Sequence, residues 1–265
     1  MSGARGVLRR WALLGIACLW LGPATSLAAQ GVTEGARPEL VVAAAADLLF
    51  GLREIAPAFE RAERVKVTLT FGSTGQLAQQ IQQGAPVDVF FAANASFVET
   101  LRARGAVLAD SVQPYAQGRI VLATRRERPP LSSLADLARD MIRRVAMANP
   151  AHAPYGMAAR EALQSSGVWA KVQPKLVYGE NIRQALQFLE TGNVDAAIVA
   201  LSVADVPDVH YTVIDTGLYQ PIVQVAAVTA RSRHPDLARA FIRFVNGPTG
   251  RPILKRFGFL LPGEG

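Results

Sequence analysis

Phe71-Gly72-Ser73-Thr74-Gly75-Gln76 follows the apolar run Val65 to Phe71 and precedes a short helical pattern in which Leu77 and Ile81 stand one turn apart. The order reads as strand, tight turn, helix. Gly72 and Gly75 let the backbone approach a ligand closely. The hydroxyls of Ser73 and Thr74 and the first N–H groups of the helix gather at one small volume, where a helix start carries partial positive charge. Such a place suits an anion. The same residues also spell an ordinary capping box, Ser73-x-x-Gln76, in which the hydroxyl serves its own helix. The stretch alone leaves both readings open.

Outward from it, the chain repeats the same alternation. Leu40 to Ala45, Val65 to Phe71 and Val87 to Ala92 read as buried strands, each followed by an amphipathic helix, which is the pattern of an α/β protein with mostly parallel sheets. Asp47 stands just before the first helical face (Leu48, Leu52, Ile55, Phe59) and is the natural N-cap there; Ser96-x-x-Glu99 plays that part for the third helix. The chain changes character at Gln113-Pro114-Tyr115. Strands then follow over 120–124, 145–148, 175–178, 194–199, 211–214 and 222–229. Between them, Asn149 to Gly156 is a proline-held loop delivering a helix, and Asn181 caps another. Pro235 opens a helix near the end. Two α/β lobes joined by two crossover segments are expected, with lobe 1 over 38–118 plus 230–265 and lobe 2 over 119–229. Ligands in such sheets bind beyond the carboxyl ends of strands, which here means the cleft between lobes.

The first residues carry a different message. Arg5, Arg9 and Arg10 precede the apolar run Trp11 to Leu21, and Ser26-Leu27-Ala28 supplies small residues at a cleavage site. This is the pattern of a secretory signal peptide over 1–28, so an exported, soluble, periplasmic protein is expected. Cys18, the only cysteine, falls inside the leader. Gly15 stands where a lipoprotein signal wants an aliphatic residue, which argues against a lipid anchor. The formal charge drops from +7 to +4 when the three leader arginines are set aside. The remaining charges are scattered without aromatic-basic interleaving, which disfavours nucleic acid as a partner.

Four strand-to-helix turns would meet in the cleft: Ala46-Asp47, Ser73-Thr74, Tyr155-Gly156 and Asn181-Ile182. Their N–H donors and hydroxyls suit a small tetrahedral oxyanion held by directed hydrogen bonds. His152, His210 and His234 lie far apart without cysteine or carboxylate company, so neither a metal-cation site nor a cofactor is expected. No Gly-x-Ser-x-Gly elbow, P-loop lysine or histidine beside a nucleophile points to an enzyme.

Val41-Val42-Ala43-Ala44-Ala45-Ala46-Asp47-Leu48, Phe71 to Leu77, Gly84-Ala85-Pro86-Val87-Asp88-Val89-Phe90 and Phe257-Gly258-Phe259 resemble the molybdate-binding proteins of bacterial ABC importers. The resemblance covers nearly all of the chain after the leader. It implies a two-lobed, type II periplasmic binding fold, acting as a monomer, that closes on molybdate or tungstate and delivers it to a membrane permease. Carried over by residue, it implies oxyanion contacts at Thr74 with Ser73 beside it, at Tyr155 and at the main chain of Ile182. The first-loop position, often serine in the family, is Asp47, and a second-lobe tyrosine is replaced by Ala200. Asp47 is expected to turn back onto its own helix, because a carboxylate facing a dianion repels it. Were it to face the cleft, it could accept the proton of an anion such as hydrogen phosphate, which keeps phosphate or sulfate as the alternative ligand.

Overall fold

A computed structural model describes residues 37–263. The leader, with Cys18, lies outside the described residues. Among the described residues, ten strands form two five-stranded sheets. The first, in the order β2-β1-β3-β10-β4, comprises β1 (Glu39–Ala45), β2 (Lys66–Gly72), β3 (Val89–Ala92), β4 (Gln113–Gly118) and β10 (Ile222–Val228). The second, in the order β7-β6-β8-β5-β9, comprises β5 (Ile120–Arg125), β6 (Val145–Ala148), β7 (Leu176–Gly179), β8 (Ala196–Ala200) and β9 (Val209–Val213). In each sheet the strands that feed helices run parallel: β1 with β2 and β3, and β6 with β7 and β8. The chain crosses between sheets twice, at Arg119 and over 214–221.

Helices cover both faces of these sheets, which explains why the central strands read as continuous apolar runs. Around the first sheet are α1 (Leu49–Glu63), α2 (Thr74–Gln82), α3 (Ala95–Ala103), α8 (Pro235–Val245) and α9 (Gly250–Arg256). Around the second are α4 (Pro154–Ser165), α5 (Trp169–Val172), α6 (Ile182–Glu190) and α7 (Leu201–Ala204). On one face of the first sheet, Leu40, Val42 and Phe91 pack with Leu52, Phe59 and Phe241 from α1 and α8. On the other, Ala43 and Phe90 meet Leu77, Ile81 and Leu101 from α2 and α3. The Phe59 and Phe241 rings meet edge to face at 4.9 Å, joining α1 to α8 over the sheet. Ala45, Ala46 and Ala93 belong instead to the core of the second sheet, so the apolar packing continues from one half into the other.

Several expectations are corrected. Strand β10 was expected in lobe 2 (119–229), but it lies between β3 and β4, antiparallel to both. The second crossover therefore precedes it. Strand β4 was not foreseen, because Gln113 to Gly118 has neither an apolar run nor clean alternation; it sits at the sheet edge, where Pro114 is tolerated. The third helix is capped by Asn94, whose Oδ1 accepts from Ser96 N at 2.8 Å, rather than by Ser96. Asp47 caps nothing. A 3-10 turn over Ala46–Leu48 follows β1 directly, so α1 opens only at Leu49 and its cap position falls to Leu48, which makes no side-chain bond.

Candidate functional site

Four chain segments end at one cleft, each at the carboxyl end of a parallel strand: β1 into the 3-10 turn, β2 into α2, the loop after β6 into α4, and the turn after β7 into α6. All seven residues singled out in the sequence, Ala46, Asp47, Ser73, Thr74, Tyr155, Asn181 and Ile182, line it, with Ala45, Gly72, Ala93, Ala153 and Pro154 between them. The hollow measures about 210 Å³ counted to its mouth. Its lining includes no Lys, Arg or His. A larger hollow of about 720 Å³, over Leu122, Leu134 and Ile214 of the second half, carries Asp215 and likewise no basic side chain.

The first N–H groups of a helix have no acceptor within it, so their partners can be assigned one by one. In α2, Gly75 N donates across the cleft to the His152 carbonyl at 2.9 Å, and Gln76 N donates to the Ser73 hydroxyl at 3.4 Å. Thr74 N–H remains for the cleft. In α6, Arg183 N and Gln184 N both donate to Asn181 Oδ1, at 3.0 and 3.1 Å, which leaves Ile182 N–H. In α4, Pro154 at the first position has no N–H and Ala153 offers no side-chain acceptor, so Tyr155 N–H is the first donor. The Thr74 hydroxyl oxygen accepts from Ala93 N at 3.1 Å, and its hydrogen is left to donate. Asn181 thus acts as a helix cap, and the donors presented together are main-chain N–H groups with one threonine hydroxyl.

Asp47 and Tyr155 do not take the places expected of them. The Asp47 side chain is buried, and its Oδ2 accepts from the Tyr155 hydroxyl at 2.8 Å and from Gln224 Nε2 at 2.7 Å. The phenol of Tyr155, a residue expected to contact the oxyanion, therefore points at Asp47. Gln224 Nε2 also donates to the Tyr155 oxygen at 2.8 Å, and the Tyr115 hydroxyl donates to Gln224 Oε1 at 2.6 Å. A Cβ on Gly118 would stand 2.1 Å from the Tyr155 hydroxyl, so the first crossover needs glycine where this cluster sits. Burial raises the Asp47 carboxyl to about 6, against the pull of Gln224, Tyr155 and the N–H dipoles of Asp47 and Leu48. Burial and the neighbouring carboxylate likewise push the Tyr155 phenol well up, so it stays a donor.

The cleft mouth holds a second bridge. Ser73 Oγ and His152 Nδ1 are 2.8 Å apart, Gln76 Nε2 donates to Glu180 at 2.6 Å, and His152 Nε2 lies 3.8 Å from that carboxylate. Sequence reading missed Gln224, Tyr115 and the non-metal role of His152. Gln224 had a signal, a lone amide within the apolar strand Ile222 to Val228; His152 had none, since its contacts are made by a loop packed across the cleft. Among the described residues no group of His, Cys, Asp and Glu gathers to hold a metal ion, and no helix is long and apolar enough to cross a membrane.

Comparison with known proteins follows the same outline. The family model for bacterial extracellular solute-binding proteins matches residues 40–260. The molybdate-binding protein ModA of Azotobacter vinelandii is 34% identical over 230 residues, covering 83% of this chain and 89% of the relative. That of Rhodobacter capsulatus is 34% identical over 223 residues, covering 84% and 88%. Among solved structures, the periplasmic molybdate-binding protein of Azotobacter vinelandii superposes with a TM-score of 0.78 at 31% identity, covering 84% of this chain and 99% of that one. A match that runs through both sheets and includes the turns of the cleft makes the chain a member of the bacterial extracellular solute-binding protein family.

Proposed function

We propose that this protein captures molybdate or tungstate in the cleft and delivers it to the membrane permease of an ABC importer, working in the periplasm as a monomer and performing no chemistry itself. The observation that carries the reading is the convergence of the N–H groups of Thr74, Tyr155 and Ile182 and the Thr74 hydroxyl on one small hollow without a basic side chain. Donors fixed by three helix starts complement a tetrahedral arrangement of oxygens, and burying them without a partner is costly. The relatives named for molybdate supply the choice among oxyanions. Thr74 belongs to the half built on the first sheet, whereas Tyr155 and Ile182 belong to the half built on the second. An anion held by all three bridges the halves, and we take residues 38–118 with 222–263, and 119–221, as lobes that close about the two crossovers.

Asp47 favours a second reading, a protonated anion such as hydrogen phosphate that donates to the carboxylate. Thermal unfolding in the presence of molybdate, tungstate, sulfate or phosphate separates the two. Ligands that bind only the folded state raise the midpoint as their concentration exceeds Kd. The proposal expects upward shifts with molybdate and tungstate and none with sulfate or phosphate; a shift confined to phosphate rejects it.

A further inference from the structure

Among the described residues, the buried side-chain atom on the cleft wall that lacks a hydrogen-bond partner belongs to Asp47. Its Oδ2 is engaged by two donors, but Oδ1 is buried and has no hydrogen-bond partner among the described residues. The groups packed around the carboxyl come from every side and none is a cation; the N–H dipoles of Asp47 itself and Leu48 act on it from its own turn. Tyr155 faces it from α4 and Gln224 from β10, while Tyr115 of β4 reaches it through Gln224. Ser202 of α7 donates to the Asp47 main-chain carbonyl at 2.9 Å. The neighbouring arginines are committed elsewhere, Arg119 to the Gly258 carbonyl and Arg183 to Glu190. The imidazole of His152 is turned to Ser73 and Glu180.

A carboxylate in that position and a fully ionised tetrahedral dianion in the same hollow repel one another, with no cation to compensate either. We propose that Asp47 binds the anion as a neutral carboxylic acid, so that each dianion captured brings one proton from solvent onto Oδ1, which then donates to an anion oxygen. The proton balance is simple: dianion, proton and ionised Asp47 enter, and dianion with protonated Asp47 results. Oδ2 keeps its bonds to Tyr155 and Gln224 throughout, which fixes the acid's orientation.

Burial already biases the carboxyl this way, holding Asp47 near 6. At pH 7.5 placing a proton there costs about a thirtyfold factor in affinity. Relieving one unit-charge repulsion at ~4 Å and an effective dielectric near 20 returns about a thousandfold, so the protonated complex wins. The Asp47 position then acts in specificity: it accepts dianions lacking a proton by supplying one, and it makes their capture pH-dependent.

This inference rests on the oxyanion reading of the cleft. The test is calorimetric titration of the whole mature protein with sodium molybdate at pH 7.5 in buffers of different ionisation enthalpy, repeated with Asp47→Asn. The wild type is expected to take up about one proton per anion and to lose affinity about tenfold per pH unit as pH rises from about 6 toward the higher pKa of the complex. Asp47→Asn, whose amide can stand in for the protonated acid, should take up none and show no such slope. Molybdate binding by the wild type with no proton uptake overturns the inference and leaves the oxyanion reading standing. Absence of binding by the wild type overturns both. The wild-type buffer series decides even if the variant fails to fold.

Discussion

Gly75→Ala should weaken ligand binding while leaving the unliganded protein as stable or slightly more so. Gly75 is the second residue of α2 and is not among the glycines with positive φ, so an alanine is locally welcome. Relief of glycine's backbone entropy at a helical position is worth ~0.5–1 kcal/mol. Across the cleft the outcome is opposite. The added Cβ would stand 2.7 Å from the His152 carbonyl oxygen, 2.9 Å from its Cβ and 3.0 Å from the Phe97 ring. Two of those atoms belong to the loop from the other half, and the carbonyl is backbone that cannot swing aside as a side chain does. The same carbonyl accepts from Gly75 N at 2.9 Å, a bond worth ~0.5–1.5 kcal/mol that the displacement would stretch or break. Together with the lost fit at Ser73, the cost to the closed form is ~1–3 kcal/mol, about five- to 150-fold in Kd. Calorimetric titration with molybdate, set beside urea unfolding of the ligand-free protein, measures the two effects separately. Unchanged affinity would refute a role in binding for the contact between Gly75 and the His152 carbonyl. A fall in unliganded stability matching the loss of binding would show that the clash lies within one half of the fold rather than between the two.

Other perturbations test neighbouring parts of the account. Thr74→Ala should lose ~1–3 kcal/mol of binding and also destabilise the fold, because Ala93 N–H loses its buried acceptor; Thr74→Ser should retain both, as titration and urea melts will show. The raised Asp47 pKa fixes the sign of one pH effect. With the folded carboxyl near 6 and the free value at 3.8, the folded state binds the proton more tightly, so stability rises as pH falls through that window. The contribution is on the order of 2–3 kcal/mol between pH 7 and 4, read by urea unfolding, and should vanish in Asp47→Asn. Asp136 and Asp195, whose pKa values are lowered by hydrogen bonds and nearby arginines, act oppositely only below about 4. Glu180→Gln removes the charge at the exposed cleft rim and should change Kd by less than about fivefold, chiefly through a faster dissociation rate in stopped-flow measurements.

What the sequence disclosed and what it withheld divide along the range of the interactions. The buried strands were legible because helices on both faces of a sheet demand continuous apolar runs, as in Val145 to Ala148 and Ala196 to Ala200. The cleft was legible because strand-to-helix turns of parallel sheets converge at one edge, and all seven nominated residues line it. Local rules failed where a distant partner outbid a near one. Asp47 looked like a cap, yet its partners are Tyr155 and Gln224, 108 and 177 residues away in sequence, and their hydrogen bonds hold it in the core. The same pairing engages the Tyr155 phenol through bonds to both Asp47 and Gln224. Strand β10 was assigned to the wrong half because a run such as Ile222 to Val228 states its own burial and not its neighbours.

The central claim is that donors from three helix starts hold a fully deprotonated tetrahedral oxyanion. Calorimetric titration of the mature protein with molybdate, tungstate, sulfate and phosphate, one after another at pH 7.5, tests it most directly. Saturable heat is expected with molybdate and tungstate and none with sulfate and phosphate. Saturable binding of phosphate with no response to molybdate would contradict it.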